Sequence, residues 1–113
     1  MKKKELRVRA WVEVRGKKCF GPGKADLLRL VGETGSISSA AREMGLSYRK
    51  AWSMVRDLNK AAITPLVVPQ KGGEKGGGAT LTPAGKNLLD RYDRLSKKLG
   101  RIISDEASLL DLF

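Results

Sequence analysis

From Gly35 to Leu58 the chain reads GSISSAAREMGLSYRKAWSMVRDL, and this spacing predicts a short helix, a tight turn and a longer helix. Ser36 or Ser38 is placed to cap the first helix, on which Ala40, Ala41 and Met44 recur at helical intervals. Gly45 supplies the turn, because glycine takes a positive φ without steric cost. Leu46 is then expected in the core, and Ser47 is expected to cap the second helix. On that helix Trp52, Val55 and Leu58 are read as the inward stripe, with Tyr48, Arg49, Ser53 and Arg56 facing out. The small side chains of Ala40 and Ala41 let two helices cross closely, as a helix-turn-helix requires.

The residues that follow extend the pattern. Ala61-Ala62-Ile63-Thr64-Pro65 ends the long helix, since a residue before proline avoids helical geometry. Leu66–Val68 and Ala79–Thr82 read as two short strands, joined by ten residues, 69–78, that contain five glycines and two lysines. Two strands linked by a glycine-rich basic loop directly after a helix-turn-helix is the layout of a winged helix. The loop matches neither GxxxxGK[ST] nor GxGxxG, and no helix follows it at once, so a nucleotide-phosphate loop is disfavoured. As a wing, its glycines admit close approach to phosphates while Lys71 and Lys75 bring charge; a merely flexible loop is the alternative.

Upstream, Leu6, Val8, Ala10, Val12 and Val14 alternate with Arg7, Arg9, Trp11, Glu13 and Arg15. This period of two predicts a half-buried strand over residues 6–15, its arginines on a solvated face. Gly16-Lys17-Lys18 turns the chain, Cys19-Phe20 returns as an edge, and Gly21-Pro22-Gly23 leads into a helix over Lys24–Glu33 with Leu27, Leu28, Leu30 and Val31 inward.

Composition bounds the function. The chain has 113 residues, the size of one domain with a modest core, and 41% of them are hydrophobic. A formal charge of +11 favours a polyanionic partner. Residues 1–24 carry a net +7 and residues 36–82 a net +4, so the excess lies on the amino-terminal arm and the helix-turn-helix region. Aromatic residues at 5% argue against a stacking surface for single strands. There is no histidine and one cysteine, which removes Ser-His and Cys-His catalysis, internal disulfides and the usual zinc sites. Cys19 reads as a small half-buried hydrophobe; a redox thiol beside Lys17 and Lys18 is the other reading. Asp90 and Asp93 read as solvated charges, and no enzymatic constellation emerges. No apolar run reaches membrane-spanning length and no signal-peptide core follows Met1, so a cytoplasmic location is expected.

The last segment opens with Thr82-Pro83, a cap followed by proline at the first helical position. Leu88, Tyr92, Leu95, Leu99 and Ile102 then recur at heptad spacing. This stripe reads as a homodimer seam, the alternative being a cover for the domain's own core. Residues 103–113 end in Leu109-Leu110-Asp111-Leu112-Phe113, which fits either the end of that seam or an exposed docking peptide.

Residues 35–52, GSISSAAREMGLSYRKAW, and 71–85, KGGEKGGGATLTPAG, together resemble the DNA-binding domain of ModE-type molybdate-responsive regulators. More distantly, SISSAA and LTPAG are similar to the winged helix of LysR-type regulators. The resemblance implies a mainly α fold with a small β wing: a winged helix-turn-helix over residues 1–82 (helix-turn-helix about 36–62, wing about 66–82) and a long dimerisation helix with tail over 83–113. It implies a transcriptional regulator that binds double-stranded DNA as a homodimer on palindromic operators, without catalysis. In such regulators molybdate is held by carboxy-terminal barrel domains to which no residues here correspond. The expectation is therefore a reading head with no cofactor and no membrane partner, which regulates without a ligand, relies on a separate sensor chain, or senses at the dimer interface.

Arg49 and Lys50 are expected to donate to guanine O6 and N7. Tyr48 and the serines, Ser36, Ser38, Ser47 and Ser53, are expected to reach phosphates or base edges beside Arg56, while Lys71, Lys75 and Thr80 hold the flanking backbone. A protein-docking winged helix and a low-specificity nucleoid-type binder are the alternative functions.

Overall fold

Leu27, Leu28 and Val31, all fully buried, mark the centre on which the elements converge. They lie on helix α1 (Pro22–Thr34), which opens with Pro22 and is closed by Gly35 in the left-handed region. Helices α2 (Ile37–Glu43) and α3 (Tyr48–Ala61) follow, then strands that pair antiparallel, Val67–Gln70 with Gly78–Leu81, and the 23-residue helix α4 (Pro83–Asp105). A second antiparallel pair, Val12–Val14 with Lys17–Phe20, precedes α1. Numbered in chain order the strands are β1 to β4, and a 3₁₀ turn, Ala107–Leu112, closes the chain. The computed structural model describes residues 2–70 and 78–113. The architecture is a mainly α winged helix-turn-helix with a long last helix.

The helix-turn-helix forms where its capping chemistry lies. Ser36 accepts a hydrogen bond from the Ser39 amide and so caps α2; Ser38 lies half-buried inside that helix. Gly45 takes φ 67°, and Ser47 caps α3 by accepting from the Lys50 amide at 3.0 Å. Ala40 and Ala41 are buried where α2 meets its neighbours, and Leu46 is half-buried against the core. The inward stripe of α3 is Ala51, Val55 and Leu58. Trp52, expected inward, is instead 44% exposed. It stands one residue, about 100° of turn, round from Ala51. The tight helix crossing accepts the small side chain and excludes the indole.

β3 and β4 are anchored at both ends. The Ala79 amide donates to the Gly35 carbonyl at 3.0 Å, and Ser36 bridges Gly78, which ties the wing to the start of the helix-turn-helix. Ala79 and Leu81 point into the core while Thr80 is half-buried on the other face. At the far end Thr82 caps α4 through the Gly85 amide and donates to the Pro65 carbonyl at 2.8 Å.

The predicted ten-residue strand is shorter than its alternation suggested. Only Val12–Val14 pairs as β1, and all three residues are exposed. Residues before it lie along α4 and the 3₁₀ turn that follows it: the Tyr92 hydroxyl donates to the Ala10 carbonyl at 2.8 Å and Lys4 Nζ to the Leu110 carbonyl at 3.4 Å. The arm therefore runs antiparallel to the last helix. Leu6 and Ala10 are half-buried, but Val8 is 48% exposed. The period of two marks a paired strand over Val12–Val14 alone, and Ala10 meets a helix in place of a strand.

α4 divides along its length. Leu88, Leu89 and Tyr92 pack against the chain's own core, with the Tyr92 ring edge-on to Phe20 at 5.0 Å. Leu95 and Ile102 are 43% and 57% exposed, and Leu99 is half-buried beside Val8 and Ile103. Asp93 is more than a solvated charge: its carboxylate accepts from Arg29 Nη2 at 2.7 Å and joins α4 to α1, while Arg29 also pairs with Asp26. Asp90 is exposed, as expected. Cys19 is half-buried on β2.

Candidate nucleic-acid interface

The exposed side of α3 is cationic. Tyr48, Arg49, Lys50 and Arg56 are exposed, Ser47 lies just before them with its hydroxyl engaged as the cap, and Ser53 is half-buried. Arg49, Trp52, Ser53 and Arg56 recur at intervals of three, one and three, so one helix face carries two guanidinium groups around an indole. Trp52 was missed as a candidate because its hydrophobicity suggested the core. Its spacing from Arg49 and Arg56 was the available clue. The first turn of α3 contains no acidic residue, so no carboxylate of that turn offsets the positive end of the helix dipole.

One side chain fixes the wing relative to this face. Asn59, on the last turn of α3, donates from Nδ2 to the Val67 carbonyl at 2.9 Å. Its Oδ1 accepts from the amides of Leu66 at 2.9 Å and Val67 at 3.2 Å. A single amide thus completes the backbone hydrogen bonding where the chain leaves the helix and begins β3. Thr80 lies on β4 opposite Val68, on the face away from the core. Lys71 and Lys75 fall outside the described residues.

Of the other candidates, Ser36 is engaged as a cap and Ser38 is half-buried, which leaves the start of α3 as the prominent polar surface. Two titratable groups elsewhere in the domain are shifted from their ordinary values. Tyr92 is raised above the ordinary tyrosine value by burial, and by the negative charges of Asp26 and Asp93. Glu5 is lowered by hydrogen bonds from Arg7 and Lys3 on the exposed arm. Among the described residues no group of acidic, cysteine or histidine side chains is arranged to hold a metal ion, and no helix is long and apolar enough to cross a membrane.

This geometry agrees with the known proteins the chain resembles. Residues 24–86 match the family of bacterial regulatory helix-turn-helix proteins of the lysR type. The chain is 42% identical over 93 residues to the molybdenum-pterin-binding protein MopB of Rhodobacter capsulatus, covering 82% of this chain and 34% of MopB. It is 36% identical over 91 residues to the DNA-binding transcriptional dual regulator ModE of Escherichia coli K12, covering 78% of this chain and 35% of ModE. The chain thus spans about a third of the length of these curated relatives. Among solved structures, the CbnR DNA-binding domain in complex with DNA superposes with a TM-score of 0.61 at 20% identity, over 77% of this chain and 94% of that one. VV2_1132, a LysR family transcriptional regulator, superposes with a TM-score of 0.56 at 18% identity, over 75% of this chain and 28% of that one. These two likenesses establish the fold, and the sequence match establishes kinship: the chain belongs to the lysR family of bacterial regulatory helix-turn-helix proteins, with ModE-type regulators among its relatives.

Proposed function

We propose that this chain reads double-stranded DNA with α3 and acts as a homodimer on a two-fold symmetric operator to regulate transcription. The observation that carries the reading is the cationic exposed face of α3, whose flanking wing is set by Asn59 and by the Ala79–Gly35 bond. Arg49 and Lys50, on the first turn, are the side chains assigned to base edges, and Tyr48 and Arg56 to the flanking backbone. Thr80, Lys71 and Lys75 are assigned to phosphates beside the major-groove contact.

The dimer is supported by the second half of α4, where Leu95 and Ile102 are apolar and uncovered within one copy. Two copies joined there would present two recognition helices to successive turns of one duplex face. Selection of bound sites from random duplex DNA tests the whole reading. A two-fold symmetric motif is expected, and a flat profile would reduce the protein to a low-specificity binder or a protein-docking module. Within the selected motif, Arg49→Ala is expected to relax preference at one base pair per half-site by about 1–3 kcal/mol. Unchanged preference in a competition assay would remove Arg49 from base readout.

A further inference from the structure

We infer that the β1–β2 hairpin is a second wing, holding the phosphate backbone of duplex DNA on the side of α3 opposite the β3–β4 wing. The inference rests on the reading of α3 as a DNA-recognition helix and extends its footprint.

Charge is the first ground. Arg15, Lys17, Lys18, Lys24 and Lys60 converge on one concave surface of about 620 Å³, with Asp57 the only carboxylate lining it among the described residues. Among the described residues none of these five cations forms an ion pair. Five cations around one carboxylate leave a concentration of positive charge that suits an external polyanion.

Placement is the second ground. Lys60 follows Arg49, Ser53 and Arg56 at intervals that keep all four on one stripe of α3, so the concave surface continues the exposed face along the helix. Met54 borders β2 and the Gly21 turn on one side of that stripe, and Asn59 holds β3 on the other. At about 100° per residue the stripe lies roughly 130° from Met54 and roughly 90° from Asn59. The two hairpins therefore flank the recognition stripe.

Backbone geometry is the third. Val14 pairs with Lys17, leaving Arg15 and Gly16 as a two-residue turn with φ 53° and 78°. Both central residues of such a turn are left-handed, a conformation that asparagine and glycine fill readily and a long side chain does not. Arg15 is the only non-glycine residue with positive φ among those described. The turn thus accepts strain and keeps a guanidinium at its tip. Lys18 is also oriented, its ammonium 4.4 Å from the centre of the Trp11 ring.

The test uses the full chain and the double variant Arg15→Asn with Lys17→Gln. Asparagine suits the turn better than arginine, so the thermal midpoint should hold or rise. The slope of log Kd against log salt should fall by about two units, about one per cation removed, on selected and random duplex alike. The ranking of sequences should not change. Lys60→Gln, on exposed helix surface, should lower the slope by about one unit and serves as the second variant. Steep salt dependence in the parent with unaltered slopes in both variants would overturn the second wing while leaving the recognition helix standing. Absence of any duplex binding by the parent would overturn both readings. Inorganic phosphate at constant ionic strength separates the sources of phosphate chemistry. Saturable thermal protection that the double variant loses, with unaltered duplex slopes, would make the surface a small-anion site and overturn the assignment to DNA.

Discussion

Asn59 shows how much a single side chain sets in this domain. Its amide satisfies three backbone groups at the junction of α3 and β3. Asn59→Ala leaves those part-buried groups without their partner and is expected to cost about 1–3 kcal/mol in chemical denaturation. Asn59→Asp is the sharper probe, because a carboxylate still accepts from the Leu66 and Val67 amides but cannot donate to the Val67 carbonyl. It should fall between wild type and the alanine variant; equality with wild type would make the donated bond energetically idle. Tyr92 links three parts of the fold at the same scale, through its bond to Ala10, its contact with Phe20 and its place on α4. Tyr92→Phe should cost about 1 kcal/mol at neutral pH, the usual worth of a neutral hydrogen bond. Burial, with Asp26 and Asp93 adding to it, favours the protonated phenol in the folded state. That stability is fully present below the ordinary tyrosine value and is lost as pH rises through the raised folded one. The advantage of wild type over Tyr92→Phe should therefore shrink in that alkaline window, and a constant difference would contradict the assignment.

At the scale of elements, close approach governs where the helices sit. A Cβ on Gly85 would run into the Leu66 carbonyl, so the first turn of α4 can pass beneath the start of β3 only without a side chain. Gly85→Ala is expected to destabilise by about 1–3 kcal/mol, the usual range for overpacking. Gly100, on the same helix, has open space where its Cβ would lie. Gly100→Ala should stabilise by about 0.5–1 kcal/mol from helix propensity alone. Opposite signs for two identical substitutions on one helix would show that packing, and not helix propensity, decides the first. The elements were largely legible in the residues. Ser36, Gly45 and Ser47 announced the helix-turn-helix because capping and left-handed turns are local chemistry, written within four residues of where they act. Thr82-Pro83 announced α4 for the same reason. Burial was less legible because it depends on what stands opposite. Trp52 looked inward by hydrophobicity, yet Ala51 occupies the tight crossing; residues 6–10 alternate as a strand would, yet lie against α4. The Asn59 bridge and the Arg29–Asp93 pair span 8 and 64 residues, and nothing in local spacing reveals such partners.

At the scale of the molecule, the shape poses the question of what covers α4. The domain measures 56 × 32 × 22 Å, and the helix of 23 residues accounts for much of the longest dimension, at about 1.5 Å per residue. Its first half is spent on the domain's own core, so the heptad stripe is not one surface but two: Leu88 and Tyr92 face inward, and Leu95 and Ile102 remain uncovered beyond them. The dimer seam read across all five positions is thereby narrowed, within the proposal, to the distal pair with Leu99 beside them. Two exposed apolar residues on one copy make a small patch, but two-fold symmetry presents the same patch twice, and each copy covers the other's. The paired substitution Leu95→Lys with Ile102→Lys tests this without touching the core, since both side chains already meet solvent within one chain. Circular dichroism should therefore be unchanged, while sedimentation equilibrium should move from dimer to monomer. Binding to a full two-fold site should weaken towards that of a half-site, because the second contact loses the effective concentration that the joined partner supplied. A variant that still sediments as a dimer would place the seam elsewhere. A variant that becomes monomeric yet binds the full site as tightly as before would show that the two half-sites are read independently, separating dimerisation from recognition.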